Sequence, residues 1–91
     1  MTRKRERLEI IYDILKIIKN NHNSILPTPL LRFSNLSSQS FSEYMDELLE
    51  KGFVREVYDE KGKKYISLTD KGFRYLEKYQ TIIDFMDEFD I

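Results

Sequence analysis

Ninety-one residues with 41% hydrophobic content, 34% charged content and a formal net charge of −1 describe one small domain, with no room for a second. The absence of Cys excludes a disulfide scaffold and thiolate metal sites, and no apolar run approaches the ~20 residues needed to span a bilayer, so a cytoplasmic location is expected. A charge this near zero argues against coating of nucleic acid by bulk electrostatics alone, so any nucleic-acid function must come from local patches. Such patches exist: residues 1–45 carry seven Lys/Arg against four Asp/Glu, whereas residues 70–91 carry three against six.

From Arg5 to Asn20, Leu8, Ile11, Leu15 and Ile18 recur at helical spacing, with Ile10, Ile14 and Ile17 forming a second stripe beside them. This predicts a helix with a wide apolar face, ended by Asn20-Asn21-His22-Asn23-Ser24. Ile25-Leu26-Pro27 reads as an extended step, and Thr28 followed by Pro29 predicts an N-cap and a short second helix running to Ser34. Asn35-Leu36 makes a turn. Ser37 is the expected cap of a third helix whose stripe is Phe41, Tyr44, Met45, Leu48 and Leu49, ending at Lys51 before a left-handed Gly52. Phe53–Tyr58 and Lys64–Leu68 are aromatic and β-branched runs around Asp59-Glu60-Lys61-Gly62-Lys63, which predicts a β-hairpin. Thr69 caps a fourth helix with the stripe Phe73, Leu76, Tyr79 or Gln80, Ile83 and Met86, continuing to Phe89.

The predicted class is mainly α with one hairpin. Three helices with a tight turn between the second and third, then a hairpin and a long last helix, resemble a winged helix-turn-helix domain over essentially the whole chain. Asn35-Leu36-Ser37, Tyr44 to Phe53 (YMDELLEKGF) and Tyr65 to Gly72 (YISLTDKG) resemble a family of small archaeal winged-helix regulators and chromatin-associated proteins. The resemblance implies double-stranded DNA binding, a recognition helix at 37–51, a wing at 59–63 and dimerisation through the helix at 69–89.

A B-DNA major groove admits one helix, braced across the backbone by the short helix before it. With Phe41, Met45 and Leu48 facing inward, Ser37, Ser38, Gln39, Ser42 and Glu43 become the candidate reading residues. Gln39 is suited to adenine, and Glu43 could accept from a cytosine amine. Phosphate contacts are expected from Arg32, Arg55, Lys61, Lys63 and Lys64. Two other readings stand beside these: the third helix has no Lys or Arg before Lys51 and could be a solvated face, and lysines also keep an exposed hairpin soluble.

The final helix adds Tyr75, Ile82, Phe85 and Phe89 to its main stripe, more apolar surface than so small a core can cover. Leu8, Ile11, Tyr75, Leu76, Tyr79, Ile82, Ile83 and Met86 are therefore expected at a homodimer contact, the alternative being packing within one subunit. Cations at Arg3, Lys4, Arg5 and Arg7 and anions at Asp84, Asp87, Glu88 and Asp90 each oppose a helix dipole. They could neutralise one another, or remain a basic arm and a solvated acidic tail.

No catalytic constellation is recognisable. His22 is the sole His, no Ser has an identifiable base, and no cofactor, metal or small-molecule site emerges. Two functions remain: a dimeric DNA-binding regulator, and a winged helix used as a protein-interaction module.

Overall fold

The computed structural model describes residues 6–91. Arg3, Lys4 and Arg5 lie outside the described residues. In chain order the elements are α1 (Arg7–Asn20), α2 (Pro27–Ser34), α3 (Ser38–Glu50), β1 (Val54–Tyr58), β2 (Lys64–Leu68) and α4 (Asp70–Phe89). This is the winged helix expected from the sequence.

Both apolar stripes of α1 face into their own chain except at Leu8, which is half exposed. Ile11, Ile14, Leu15 and Ile18 are buried, and Ile10 and Ile17 pack against the rim of the same core. Around α1 gather Leu30 of α2, Phe41, Met45 and Leu48 of α3, Val54, Ile66 and Leu68 of the hairpin, and Leu76 of α4. At ~1.5–3 kcal/mol per fully buried aliphatic side chain, this cluster is the main stabilising term.

The second helix starts two residues earlier than expected. Pro27, not Pro29, takes the first helical position, and Leu26 is the extended residue before it (φ −71, ψ 150). Both prolines lie in the first turn, where backbone N–H groups have no intrahelical partner to lose. Ile25 does take the extended role, exchanging backbone hydrogen bonds with Ile66 at 3.2 and 2.8 Å and so flanking β2 on its second side.

The turn between α2 and α3 is compact. Asn35 is left-handed (φ 59), and the buried Ser34 hydroxyl donates to the Leu31 carbonyl at 2.7 Å while accepting from the Leu36 N–H at 3.3 Å. At the far end of α3, Gly52 (φ 76) places its N–H on the Leu49 carbonyl and the Phe53 N–H on the Leu48 carbonyl, the double bond pattern of a Schellman cap. Phe53 therefore closes α3, and β1 begins one residue later, at Val54, than the aromatic run alone predicts.

The run Leu68-Thr69-Asp70-Lys71-Gly72 joins three elements. The Thr69 hydroxyl accepts from the Gly72 N–H at 3.2 Å to cap α4 and donates to the Gly52 carbonyl at 2.5 Å. Lys71 Nζ donates to the Lys51 carbonyl at 2.8 Å and sits 4.6 Å from the centroid of the Phe53 ring, a cation on the C-terminus of α3. Gly72 approaches the Phe53 carbonyl so closely that a Cβ there would lie 2.3 Å from the oxygen.

Candidate nucleic-acid interface

Ser37 caps α3, its hydroxyl accepting from the Ser40 N–H at 3.1 Å, so its local task is structural even though the residue is exposed. Ser38, Gln39, Ser42 and Glu43 are all exposed while Phe41, Met45 and Leu48 are buried, which is the division the helical period requires. Gln39, Glu43, Asp46 and Glu50 form the middle of the outward face.

That face has two different flanks. On one, Ser42, Asp46 and Leu49 meet Glu56, Lys64 and Ile66 of the hairpin in a shallow recess. On the other, Ser40, Glu43, Tyr44 and Glu47 meet Arg7 from the start of α1. Both terminal nitrogens of the Arg7 guanidinium donate to the Glu47 carboxylate, Nη1 to Oε1 at 2.7 Å, and Lys51 Nζ donates to the same group at 2.7 Å. These donors, Arg7 first, hold the Glu47 carboxyl down from 4.5 to about 2, and the pairing raises the Arg7 guanidinium in turn. Glu47 and Lys51 are an i,i+4 pair legible in the sequence, but the Arg7 contact spans 40 residues and carries no local signal. Arg7 thus pairs with α3, and not with the acidic end of α4.

The wing is built by Asp59. Its Oδ1 accepts from the Lys61 and Lys63 N–H groups at 2.9 and 2.8 Å, and Gly62 takes the positive φ of 80 that the turn needs. Lys61 and Lys63 are exposed at this tip. Lys64 is half-buried and ion-paired with Glu56 at 3.2 Å, which offsets part of its charge.

Arg55 departs from the expected cluster. It pairs with Ser67 while Glu56 pairs with Ile66, so strand alternation puts Arg55 on the hairpin face opposite Glu56. There it borders Thr69, Asp70 and Lys71 at the start of α4, and the structure does not bring it together with Lys64 beside α3. Arg32 is exposed in the last turn of α2, its guanidinium carbon 5.6 Å from the centroid of the Phe33 ring.

The surfaces expected at a dimer contact divide in the same way. Ile11 and Leu76 are 4% and 7% exposed within one chain and belong to the core, because α4 crosses α1 at these positions. Tyr79 packs on Tyr12 with centroids 4.8 Å apart, and Tyr75 donates from its hydroxyl to the Leu8 carbonyl at 2.7 Å. Burial pushes the Tyr75 phenol up to about 12. Ile83 and Met86 are half-buried, whereas Leu8, Ile82, Phe85 and Phe89 are each about half exposed or more. The uncovered stripe of α4 is therefore Ile82, Phe85 and Phe89, of which Ile82 alone belongs to the expected contact set, while Leu76 is turned into the core.

A winged helix-turn-helix family profile matches residues 4–87. The chain belongs to this family. An uncharacterised protein of Methanocaldococcus jannaschii is 30% identical over 84 residues, covering 92% of this chain and 79% of its own length. A second from the same organism is 33% identical over 79 residues, 87% of this chain but only 34% of that protein. Among solved structures, a winged-helix DNA-binding protein from STIV superposes with a TM-score of 0.73 at 23% identity, over 88% of this chain and 91% of that one. Sso10a-2, a DNA-binding protein from Sulfolobus solfataricus, gives 0.74 at 20% identity, over 93% and 85%. A MarR family transcriptional regulator from Silicibacter pomeroyi also gives 0.74 at 20%, this winged helix spanning 57% of its length. Among the described residues, no helix of this winged helix is long and apolar enough to cross a membrane.

Proposed function

We propose that this winged helix is a dimeric double-stranded DNA-binding protein of the cytoplasm, acting as a transcriptional regulator and not as an enzyme. One observation carries the reading: Ser38, Gln39, Ser42 and Glu43 stand together on the outward face of α3, beside a wing that presents Lys61 and Lys63. In a major groove Gln39 bonds adenine bidentately, Glu43 accepts from cytosine N4, and the serines reach bases or phosphates, while Arg32 and the wing hold the backbone. Fold neighbours described as DNA-binding proteins and as a MarR family regulator support the same reading.

Residues 1–91 act as one unit, and α4 provides the dimer contact through Ile82, Phe85 and Phe89. A twofold pairing there covers the apolar stripe and repeats α3 for a second half-site. Three to five phosphate contacts per subunit give a salt slope on the order of −5 to −9 for the dimer. Fluorescence anisotropy with a labelled random duplex at several salt concentrations tests this. Binding absent at low salt, or indifferent to salt, removes the mechanism.

The second reading, a protein-interaction module, is favoured by Glu43, Asp46 and Glu50 on the same face of α3. Under that reading the duplex titration is flat.

A further inference from the structure

Two rows of side chains border the outward face of α3. Ser42, Asp46 and Leu49 run along the hairpin side. Ser40, Tyr44, Glu47 and Lys51 follow i, i+4, i+7, i+11 spacing along the other side, Lys51 keeping the helical conformation at the C-cap, so this row is ~16 Å long at ~1.5 Å per residue. Arg7 reaches the middle of that second row from the first helical residue of α1. The Glu47 carboxylate takes one donor from each terminal nitrogen of its guanidinium and one from Lys51. From the α4 side, the Tyr75 hydroxyl bond to the Leu8 carbonyl holds the same turn of α1. A guanidinium and an ammonium have more N–H donors than one carboxylate takes up in this way. Both cationic side chains are 53% exposed, so their remaining donors are open to solvent while Glu47 fixes where the two charges stand.

A helix in a major groove ~12 Å wide has a phosphate strand along each side, and the wing lysines serve one of them. We propose that Arg7 and Lys51, bordered by the Ser40 and Tyr44 side chains, form a second phosphate-binding site that engages the strand on the flank away from the wing. Its ligand is the phosphodiester backbone of duplex DNA, which it holds without reading sequence. Glu47 is a positioning residue: two cations share its single carboxylate, so the cluster keeps an excess of positive charge and spare donors. Glu43, at the outer edge of the same recess, has no such pair of cations and points to the groove side of the strand. This inference rests on the DNA-binding reading and adds to it a contact that neither the wing nor Arg32 supplies.

The test titrates one labelled random duplex at several salt concentrations with wild type, K61Q/K63Q, R7Q/K51Q, K51Q and K16Q/K19Q, circular dichroism serving as the folding control. Each lost phosphate contact lowers the salt slope by ~0.9, so R7Q/K51Q is expected to lose about 2 per subunit, as much as the wing variant. K51Q, which leaves the Arg7–Glu47 contact in place and so keeps the test open if the double variant unfolds, is expected to lose about 1. K16Q/K19Q removes the same charge from the groove between α1 and α4 and is expected to keep the wild-type slope. A wild-type slope in R7Q/K51Q and K51Q, beside a lowered slope in the wing variant, overturns the inference and leaves DNA binding standing. An equal loss from K16Q/K19Q also overturns it, because net charge and not this site would then set the slope. A wild type that binds no duplex overturns both the inference and the reading beneath it.

Discussion

Gly72→Ala sets two physical effects against each other. Gly72 lies in the first turn of α4 with an ordinary helical backbone, so helix propensity alone predicts that Ala stabilises by ~1 kcal/mol. The packing predicts the opposite. An added methyl would meet the Phe53 carbonyl oxygen at 2.3 Å, where ordinary contact begins near 3.4 Å, so the backbones must part by about 1 Å. That oxygen is held in place, accepting from the Thr69 N–H at 3.1 Å and the Thr69 hydroxyl at 3.2 Å, and the Leu68 side chain closes the other side at 3.4 Å. Overpacking of this kind costs ~1–3 kcal/mol, and strain on the two hydrogen bonds adds ~1 kcal/mol, so the net loss after the propensity gain is ~1–3 kcal/mol. For a domain of this size that lowers Tm by roughly 5–20 °C. Thermal unfolding followed by circular dichroism, at matched protein concentration, reads the change. A Tm equal to or above wild type would refute the close-approach argument and leave propensity in charge.

Three further outcomes follow from the same contacts. Thr69→Ala removes the α4 cap and the hydroxyl bond to Gly52, lowering stability by ~1–2 kcal/mol in denaturant unfolding, and Thr69→Ser restores most of it. Because the Glu47 carboxyl is held down from 4.5 to about 2, its contribution is complete above pH 4.5 and lost as pH falls through 2, so Glu47→Gln flattens the acid limb of the Tm profile. Parallel wild-type and variant profiles between those pH values contradict this. The double variant I82E/F85E, on a stripe already solvated in the single chain, sediments as one chain mass with unchanged helicity where wild type sediments as two. Equal sedimentation of both proteins places any self-association elsewhere.

The fold was legible wherever chemistry is local. Ser37 and Thr69 mark their helix starts because each side chain serves an N–H three residues on, and Gly52 and Gly62 mark turns because both need positive φ. What was not legible depends on distance in sequence. Asn23 takes a left-handed conformation (φ 57) and its side-chain oxygen accepts from the Leu68 N–H at 2.7 Å, which ties the loop after α1 to β2 across 45 residues. Nothing in the Asn-rich stretch distinguishes that residue from its neighbours. The same limit misplaced Ile11 and Leu76, since a helical stripe states which side is buried and not whether its own chain or a partner covers it. At the candidate site the outward face of α3 was visible from period alone, whereas the Arg7–Glu47 contact and the separation of Arg55 from Lys64 needed tertiary structure.

Net charge is a poor guide to this molecule because its charges are far apart on the scale of screening. The longest dimension is 49 Å, and at ~1.5 Å per residue Asp87 lies ~27 Å along α4 from Thr69 at the base of the wing. With a Debye length of ~8–10 Å, the field of Asp87, Glu88 and Asp90 falls below about a tenth of its unscreened value over that distance. Glu43 and Asp46 are exposed on the outward face of α3, the face that a bound duplex would meet in the proposed complex. The triple variant D87N/E88Q/D90N changes the formal charge from −1 to +2 yet is expected to leave duplex affinity within a few-fold. E43Q/D46N removes only two acids but relieves repulsion at contact range, ~1 kcal/mol per close pair even in water, and is expected to raise non-specific affinity by roughly tenfold or more. Anisotropy titrations of both variants on one random duplex decide between them, and an equal gain from the distal variant would mean that total charge, and not its placement, governs binding.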